Sequence, residues 1–170
     1  MEKTIRVREF RPGDEAAFRR LSEEWITRYF SLEAKDRELF DDPQGQIIAQ
    51  GGLILIMEND GQPVGCCALI NKDPETFEVA KMSVAEAHQG QGLGRILLQS
   101  CIDQARFRGK KRLFLETNRR LEAAVGLYRK LGFVELPPSA WPPSAYARVD
   151  LAMELRLTGV GKRQQDELAC

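Results

Sequence analysis

The sequence predicts an α/β fold: one sheet of mixed direction, about six or seven strands, flanked by about four helices. Two features carry that expectation. Asn59-Asp60-Gly61-Gln62 stands between two apolar runs, and an Asp-Gly pair suits the tight turn of an antiparallel hairpin. Between Thr76 and Thr117 an apolar strand pattern, a glycine-rich loop, a helical run and a short strand follow in the order of a strand-helix-strand unit.

Each element has its own signal. Thr4 to Phe10 alternates apolar and charged residues and stops at Pro12-Gly13, so it reads as a first strand. Asp14 can cap the helix that follows, in which Ala17, Phe18, Leu21, Trp25, Ile26 and Tyr29 recur at helical spacing to about Phe30. Leu32 to Phe40 reads as a shorter helix ending before Pro43. Leu53 to Glu58 and Val64 to Asn71 form the hairpin strands, and Thr76 to Val84 is a further strand after Asp73-Pro74. A helix over Leu93 to Arg108 stops at Gly109, Arg112 to Thr117 is a strand, and Leu121 to Leu131 is a helix closed by Gly132. Phe133 to Leu136 is a short strand, Pro137 to Ser144 a loop, and Val149 to Leu157 alternates as the final strand. One domain is expected over 1–157, with 158–170 a polar, loose tail.

Composition narrows the function. Lys and Arg number 25 and so do Asp and Glu, so no long-range field draws the chain to nucleic acid or to an anionic membrane; a small ligand fits better. No segment approaches the roughly 18 uninterrupted apolar residues of a membrane span. Cys66, Cys67, Cys101 and Cys170 show neither metal spacing nor a disulfide framework, so no metal is expected and a reducing cytosol is the simplest setting. The run MEKTIRVREFRPGDE has no apolar core of a signal peptide, and the expectation is a cytoplasmic protein.

The chemistry begins at Ala87-His88-Gln89-Gly90-Gln91-Gly92-Leu93-Gly94-Arg95, three glycines at alternate positions in front of a helix. Glycine lets a ligand approach the main chain, and a helix start points unpaired N–H groups and a positive dipole at it, which favours phosphate. Counting excludes two motifs. A dinucleotide fingerprint begun at Gly90 would need glycine at Arg95, and a P-loop lacks its second glycine and its lysine. Gln89-x-x-Gly92-x-Gly94 remains. Phe77-Glu78-Val79-Ala80-Lys81-Met82-Ser83-Val84 precedes it, and Leu113-Phe114-Leu115-Glu116-Thr117-Asn118 and Ala124-Val125-Gly126-Leu127-Tyr128-Arg129-Lys130-Leu131-Gly132-Phe133 follow.

In this order the segments resemble the GNAT superfamily of N-acetyltransferases, which bind acetyl-coenzyme A, and the resemblance runs from about Thr4 to Leu157. It implies a mostly antiparallel sheet whose fourth and fifth strands splay. It also implies direct transfer of acetyl from acetyl-CoA to a primary amine in a ternary complex, with acetyl-CoA as co-substrate and no metal. Gln89, Gly90, Gln91, Gly92, Leu93, Gly94 and Arg95 would cradle the pyrophosphate. The backbone of Met82, Ser83 and Val84 would meet the pantetheine and polarise the thioester.

Asn118 matches the family's cofactor-contacting asparagine, with a helix cap or turn as the alternative. Tyr128 matches its acid: a tyrosine of pKa about 10 can protonate a thiolate whose conjugate acid is near 8.5, against a reading as a core tyrosine. Glu78 is the candidate base, directly or through water, against a plain charged strand residue; Glu116 is the other carboxylate near the centre. His88 abuts the phosphate loop on the wrong side of the thioester, and Cys66, Cys67 and Cys101 read as small core residues.

Tyr29, Trp141 and Tyr146 are expected to wall the acceptor site, where Glu33, Asp41 or Asp42 can attract an ammonium. The acceptor itself stays open between a small amine, an amino acid and a protein N-terminus or lysine. The alternative function is a non-catalytic acyl-CoA sensor. Having both Tyr128 and Glu78 favours an enzyme, since binding alone needs neither. A homodimer through a late strand is also open.

Overall fold

The computed structural model describes residues 4–157. In order these form β1 (Ile5–Glu9), α1 (Glu15–Tyr29), α2 (Ala34–Asp41), β2 (Leu53–Asn59), β3 (Gln62–Asp73), β4 (Thr76–Val84), α3 (Leu93–Phe107), β5 (Arg112–Thr117), α4 (Glu122–Lys130), β6 (Val134–Glu135) and β7 (Leu151–Arg156). Among the described residues the sheet has seven strands in the order β1-β2-β3-β4-β5-β7-β6. Every neighbouring pair is antiparallel except β4 and β5, which run parallel. The mixed, mostly antiparallel sheet expected from the sequence is the one observed. The tail expected over 158–170 lies outside the described residues.

The β2–β3 turn shows why Asp-Gly sits there: Asp60 (φ 50°) and Gly61 (φ 82°) are both left-handed, the conformation a two-residue hairpin turn needs. β2 reads as an unbroken apolar run because both of its faces are covered. Leu53, Leu55 and Met57 join a core with Leu97, Leu98, Cys101 and Ile102 of α3 and Val125 of α4. Ile54 and Ile56 join a second core with Phe18, Leu21 and Ile26 of α1 and Leu39 and Phe40 of α2. Phe18 and Phe40 meet edge-to-face at 5.7 Å, which pins α1 to α2. Cys66, Cys67 and Cys101 are free and buried in these cores.

Several expectations are corrected locally. Asp14 precedes α1 but makes no side-chain cap, because its carboxylate binds the half-buried Arg8 guanidinium at 2.7 and 3.0 Å and the Arg11 N–H at 2.7 Å. A charged donor outcompetes a neutral helix N–H for the same oxygens. The second helix begins at Ala34, where Asp36 accepts the Glu33 N–H at 2.9 Å, and a π-helical turn, Gln44–Ile48, follows Pro43. Phe133 does not extend β6: its N–H closes α4 on the Tyr128 carbonyl at 3.0 Å while its ring enters the α3-side core. β7 starts at Leu151 instead of Val149, since the Asp150 carboxylate is turned to the Arg119 N–H at 2.8 Å. The loop after Pro137 contains a 3-10 turn, Pro138–Ala140.

One irregularity positions the site. Cys66 pairs with Ser83 and Ala68 with Ala80, so Lys81 and Met82 together face the single residue Cys67, and Lys81 takes φ 52°. Such a bulge bends its strand and adds twist. It also changes parity. Phe77 and Val79 point to the α3 side and so do Met82 and Val84, which puts Lys81 on the α1/α2 side. β5 pairs with β4 only from Thr76 to Val79, and beyond that point the two strands part.

Two glycines test how tightly this frame is packed. A Cβ on Gly52, where the chain enters β2, would stand 2.4 Å from the Leu69 carbonyl oxygen and 2.9 Å from that of Ile47. Backbone cannot swing aside, so Gly52→Ala should lower unfolding free energy by about 1–3 kcal/mol. Gly126, inside α4 with nothing within 4 Å of an added Cβ, should gain about 0.5–1 kcal/mol as alanine. Urea denaturation of the two variants measures both.

Candidate active site

Two cavities open where β4 leaves β5. From Ala80 onward the edge of β4 that faced β5 has no strand partner among the described residues. The larger cavity, about 540 Å3, is lined by that edge at Met82, Ser83 and Val84, by the glycine loop and by α4. Gly90 (φ 78°) and Gly92 (φ 75°) are left-handed, and a Cβ on either would project into open space. Both line the larger cavity at the start of α3, where the first helix N–H groups are unpaired. Arg95 and Arg120 line the same cleft and add positive charge. The Gln89 side chain fastens the loop, donating to the Val84 carbonyl at 3.0 Å and accepting from Arg28 at 3.3 Å.

The smaller cavity, about 100 Å3, lies on the α1 side of the splay. Trp25, Ile26 and Phe30 form its apolar wall; Glu78, Lys81, Glu116, Tyr146 and Arg148 bring polar groups to it. Trp25, Met82, Ser83, Leu121 and Tyr128 border both cavities. Tyr128 is thus at the junction. Its residue is 8% exposed, burial beside Cys67 and Cys101 pushes its hydroxyl well above the ordinary tyrosine value, and no hydrogen bond holds that hydroxyl among the described residues. Burial likewise raises the Glu78 carboxyl above the usual range, against the pull of the Lys72 ammonium 3.4 Å away. Glu116 accepts from the Ser144 hydroxyl at 2.8 Å.

Behind the smaller cavity is a buried ionic cluster. Asp36, fully buried, takes the Arg148 guanidinium on both oxygens at 2.7 and 2.8 Å and the Lys81 ammonium at 2.5 Å. Arg148 also reaches Glu33 at 3.1 Å, and Lys81 reaches the Tyr146 hydroxyl at 3.1 Å. Both cations lie 4.4 Å from the centre of the Tyr146 ring. Burial lowers the affinity of Lys81 for its proton, while burial and the adjoining Asp36 carboxylate push the Tyr146 hydroxyl up. Burial opposes ionisation of Asp36, but Arg148, Lys81 and the Glu33 N–H outweigh it and hold the carboxyl down to about 2.

The structure brings Glu78 and Tyr128 to one cavity, and Met82, Ser83, Val84, Gln89, Gly90, Gly92, Leu93, Gly94, Arg95 and Tyr128 to the other. Gln91 lines neither. Gly94 makes an ordinary 3.5 Å contact with Leu127, so it serves the approach of α4 to α3 rather than bare backbone. Asn118 lines the smaller cavity with its amide already committed, donating to the Arg148 carbonyl and accepting the Arg120 N–H, both at 2.9 Å. Of the expected aromatic wall, Tyr146 is present, Tyr29 borders the larger cleft, and Trp141 packs on Leu136, Phe114 and Ala152 with its indole N–H on the Leu136 carbonyl. Glu33, Asp41 and Asp42 are held by Arg148, Arg19 and the Gly45 N–H, respectively, away from the cavity. His88 borders the larger cleft.

Sequence reading did not single out Lys81 or Arg148 for this site and treated Trp25 as core only. The helical spacing of Trp25 and Phe30 reports a buried face without saying what covers it. The resemblance implies a bulge after Glu78, but no signal in the sequence says that it turns Lys81 inward.

Removing Asp36 would strand two buried cations. Asp36→Asn should cost about 3–5 kcal/mol in chemical denaturation. In the unaltered protein the Asp36 carboxyl sits below its unfolded value of 3.8, so its contribution is complete above about pH 4 and is lost as pH falls toward 2. The mutant should lack that component of the acid transition.

Comparison with known proteins places the architecture. Residues 17–133 match the family model described as "Acetyltransferase (GNAT) family". A protein of Escherichia coli (strain K12) named "Uncharacterized N-acetyltransferase YjgM" is 35% identical over 92 residues, 52% of this chain and 55% of its own. The chain spans about half the length of the curated relatives it matches. An acetyltransferase of the GNAT family from Staphylococcus aureus superposes with a TM-score of 0.82 at 17% identity, over 91% of this chain and 100% of that one. N-acetylglutamate synthase from Neisseria gonorrhoeae, solved with coenzyme A and N-acetyl-glutamate, superposes with a TM-score of 0.72 at 23% identity, over 94% of this chain and 36% of that one. At these identities the solved structures establish the shared fold. Among the described residues no helix is long and apolar enough to cross a membrane, and no group of acidic, histidine and cysteine side chains is arranged to hold a metal.

Proposed function

The chain belongs to the acetyltransferase (GNAT) family, and on that premise we propose that it transfers the acetyl group of acetyl-CoA directly to an amine. The observation that carries the reading is the junction of two cavities at Tyr128, one bordered by a bare glycine turn and a free strand edge, the other by a buried carboxylate. Acetyl-CoA would supply a thioester carbonyl at the splay. The N–H groups around Gly90 and Gly92, with Arg95 and Arg120, would take its pyrophosphate, since the space above both glycines is open to a ligand. The free edge of β4 at Met82 and Val84 would accept an extended amide-bearing arm as an added strand and direct an N–H at the thioester oxygen.

The amine would approach from the smaller cavity. Glu78, held above the ordinary carboxylate range by burial, is poised to take the proton that makes an ammonium nucleophilic. Tyr128 is protonated across the working range; burial raises its hydroxyl and so weakens it as an acid, but the thiolate developing beside it is desolvated in the same place and becomes a stronger base, which lets the proton pass to the leaving sulfur. A sensor of acyl-CoA would need the larger cavity alone. The acid and base at the boundary of the second cavity favour turnover.

Three substitutions separate these roles. Gly92→Ala forces a side chain into a left-handed position and into the cleft, and should weaken acetyl-CoA binding, read by calorimetry, at least tenfold. Gly94→Ala, with room at Leu127, should leave the fold intact and shift affinity less. Tyr128→Phe should lower kcat about 100-fold with acetyl-CoA affinity retained, and unchanged turnover would remove Tyr128 as the acid. Glu78→Gln should lower kcat on the order of 100-fold and abolish the acidic limb of the pH–rate profile, which in the parent protein lies above 4.5 because burial raises the carboxyl.

A further inference from the structure

Resting on the transferase reading, we infer that the acceptor is a compact cationic amine with an apolar body and no acidic group, and that free α-amino acids are disfavoured. The argument is the balance of charge around the smaller cavity. Its two lining cations are not available to a carboxylate. Lys81 is bound to Asp36 and the Tyr146 hydroxyl, and Arg148 spends both terminal nitrogens on Asp36 and Glu33. Asp36 and Glu33 neutralise that pair from the side away from the cavity.

The lining carboxylates are less well matched. Glu78 has Lys72, whose ammonium approaches from a half-exposed position, and Glu116 has the Ser144 hydroxyl and no cation among the described residues. The cavity is therefore left with one negative charge, on Glu116, that no cation among the described residues pairs, at a site walled on one side and open on the other. An ammonium supplies the missing charge. A zwitterion would bring a carboxylate for which no free donor of positive charge remains, and burying it unpaired is costly.

Size and shape agree. About 100 Å3 suits a molecule of several heavy atoms, and Trp25, Ile26 and Phe30 offer it an apolar wall. Tyr128, more than nine-tenths buried and with no hydrogen bond to its hydroxyl among the described residues, borders the same cavity and marks the end at which the reacting nitrogen would sit. Specificity against acids thus comes from the ion cluster behind the wall, which consumes the cations in advance.

Matched pairs test this: 2-phenylethylamine against phenylalanine and isobutylamine against valine, each pair differing by one carboxylate, with a lysine-containing peptide as a third class. Thiol release from acetyl-CoA should show kcat/KM at least tenfold higher for each amine than for its amino acid or for the peptide. Glu116→Gln, which keeps the Ser144 hydrogen bond, should raise KM for the amine about tenfold with little change in kcat. Amino acids or the peptide used as well as the amines, or an unaltered KM in Glu116→Gln, would overturn the inference and leave the transferase reading standing. Calorimetric binding of acetyl-CoA without turnover of any acceptor would overturn the transferase reading, and the inference with it.

Discussion

A strand can keep two partners only while both of its edges stay aligned with theirs, and β4 loses that alignment past Val79. The bulge at Lys81 and Met82 against Cys67 keeps β4 registered with β3, adding a residue and a bend that β5 does not follow. One edge of β4 is left unpaired inside the protein, where orphaned backbone groups are expensive unless something completes them. The cleft at Met82 to Val84 is the consequence of that mismatch. The glycine turn and the start of α3 then close its far end, tethered to the same strand through Gln89 and the Val84 carbonyl.

The bulge also decides which side chains enter the second cavity. Because it shifts the alternation, Lys81 turns to the α1/α2 side while Met82 remains with the α3-side core. A lysine delivered into an interior has to be met there. Asp36 of α2 meets it, Arg148 of the segment before β7 shares that carboxylate, and Tyr146 lies beneath both cations. An ion cluster of this kind contributes less net stability than its short distances suggest, since desolvation offsets much of the attraction. What it does supply is a fixed relation among three chain segments distant in sequence: helix α2, the bulged strand and the loop leading to β7.

Tyr128 ties the halves together. α4 carries it, Phe133 closes the end of that helix under it, and it lines both cavities. The same residue is a core member and a bordering group, so the two readings of it at the sequence level were not exclusive. Burial that makes it part of the core also raises its hydroxyl above the ordinary tyrosine value.

Local chemistry by itself determined most of the frame. Asp-Gly at a hairpin, the spacing of apolar residues in α1 and α3, and Gly109 and Gly132 past helix ends state backbone preferences that need no distant partner, and β4 and β5 were readable to the residue. The glycine loop was readable for the same reason, as positive φ at Gly90 and Gly92 is a property of glycine. What required the tertiary structure were the competitions between distant groups. Asp14 looked like a cap until Arg8 was brought to it, and Trp141 looked like a site residue until Leu136 and Phe114 took it. Asp36, Lys81 and Arg148 are three ordinary charges in the sequence. Only the fold brings them together and adds Glu33 as the fourth charge that makes the set neutral, because pairing in a low-dielectric interior depends on where the chain has carried each charge.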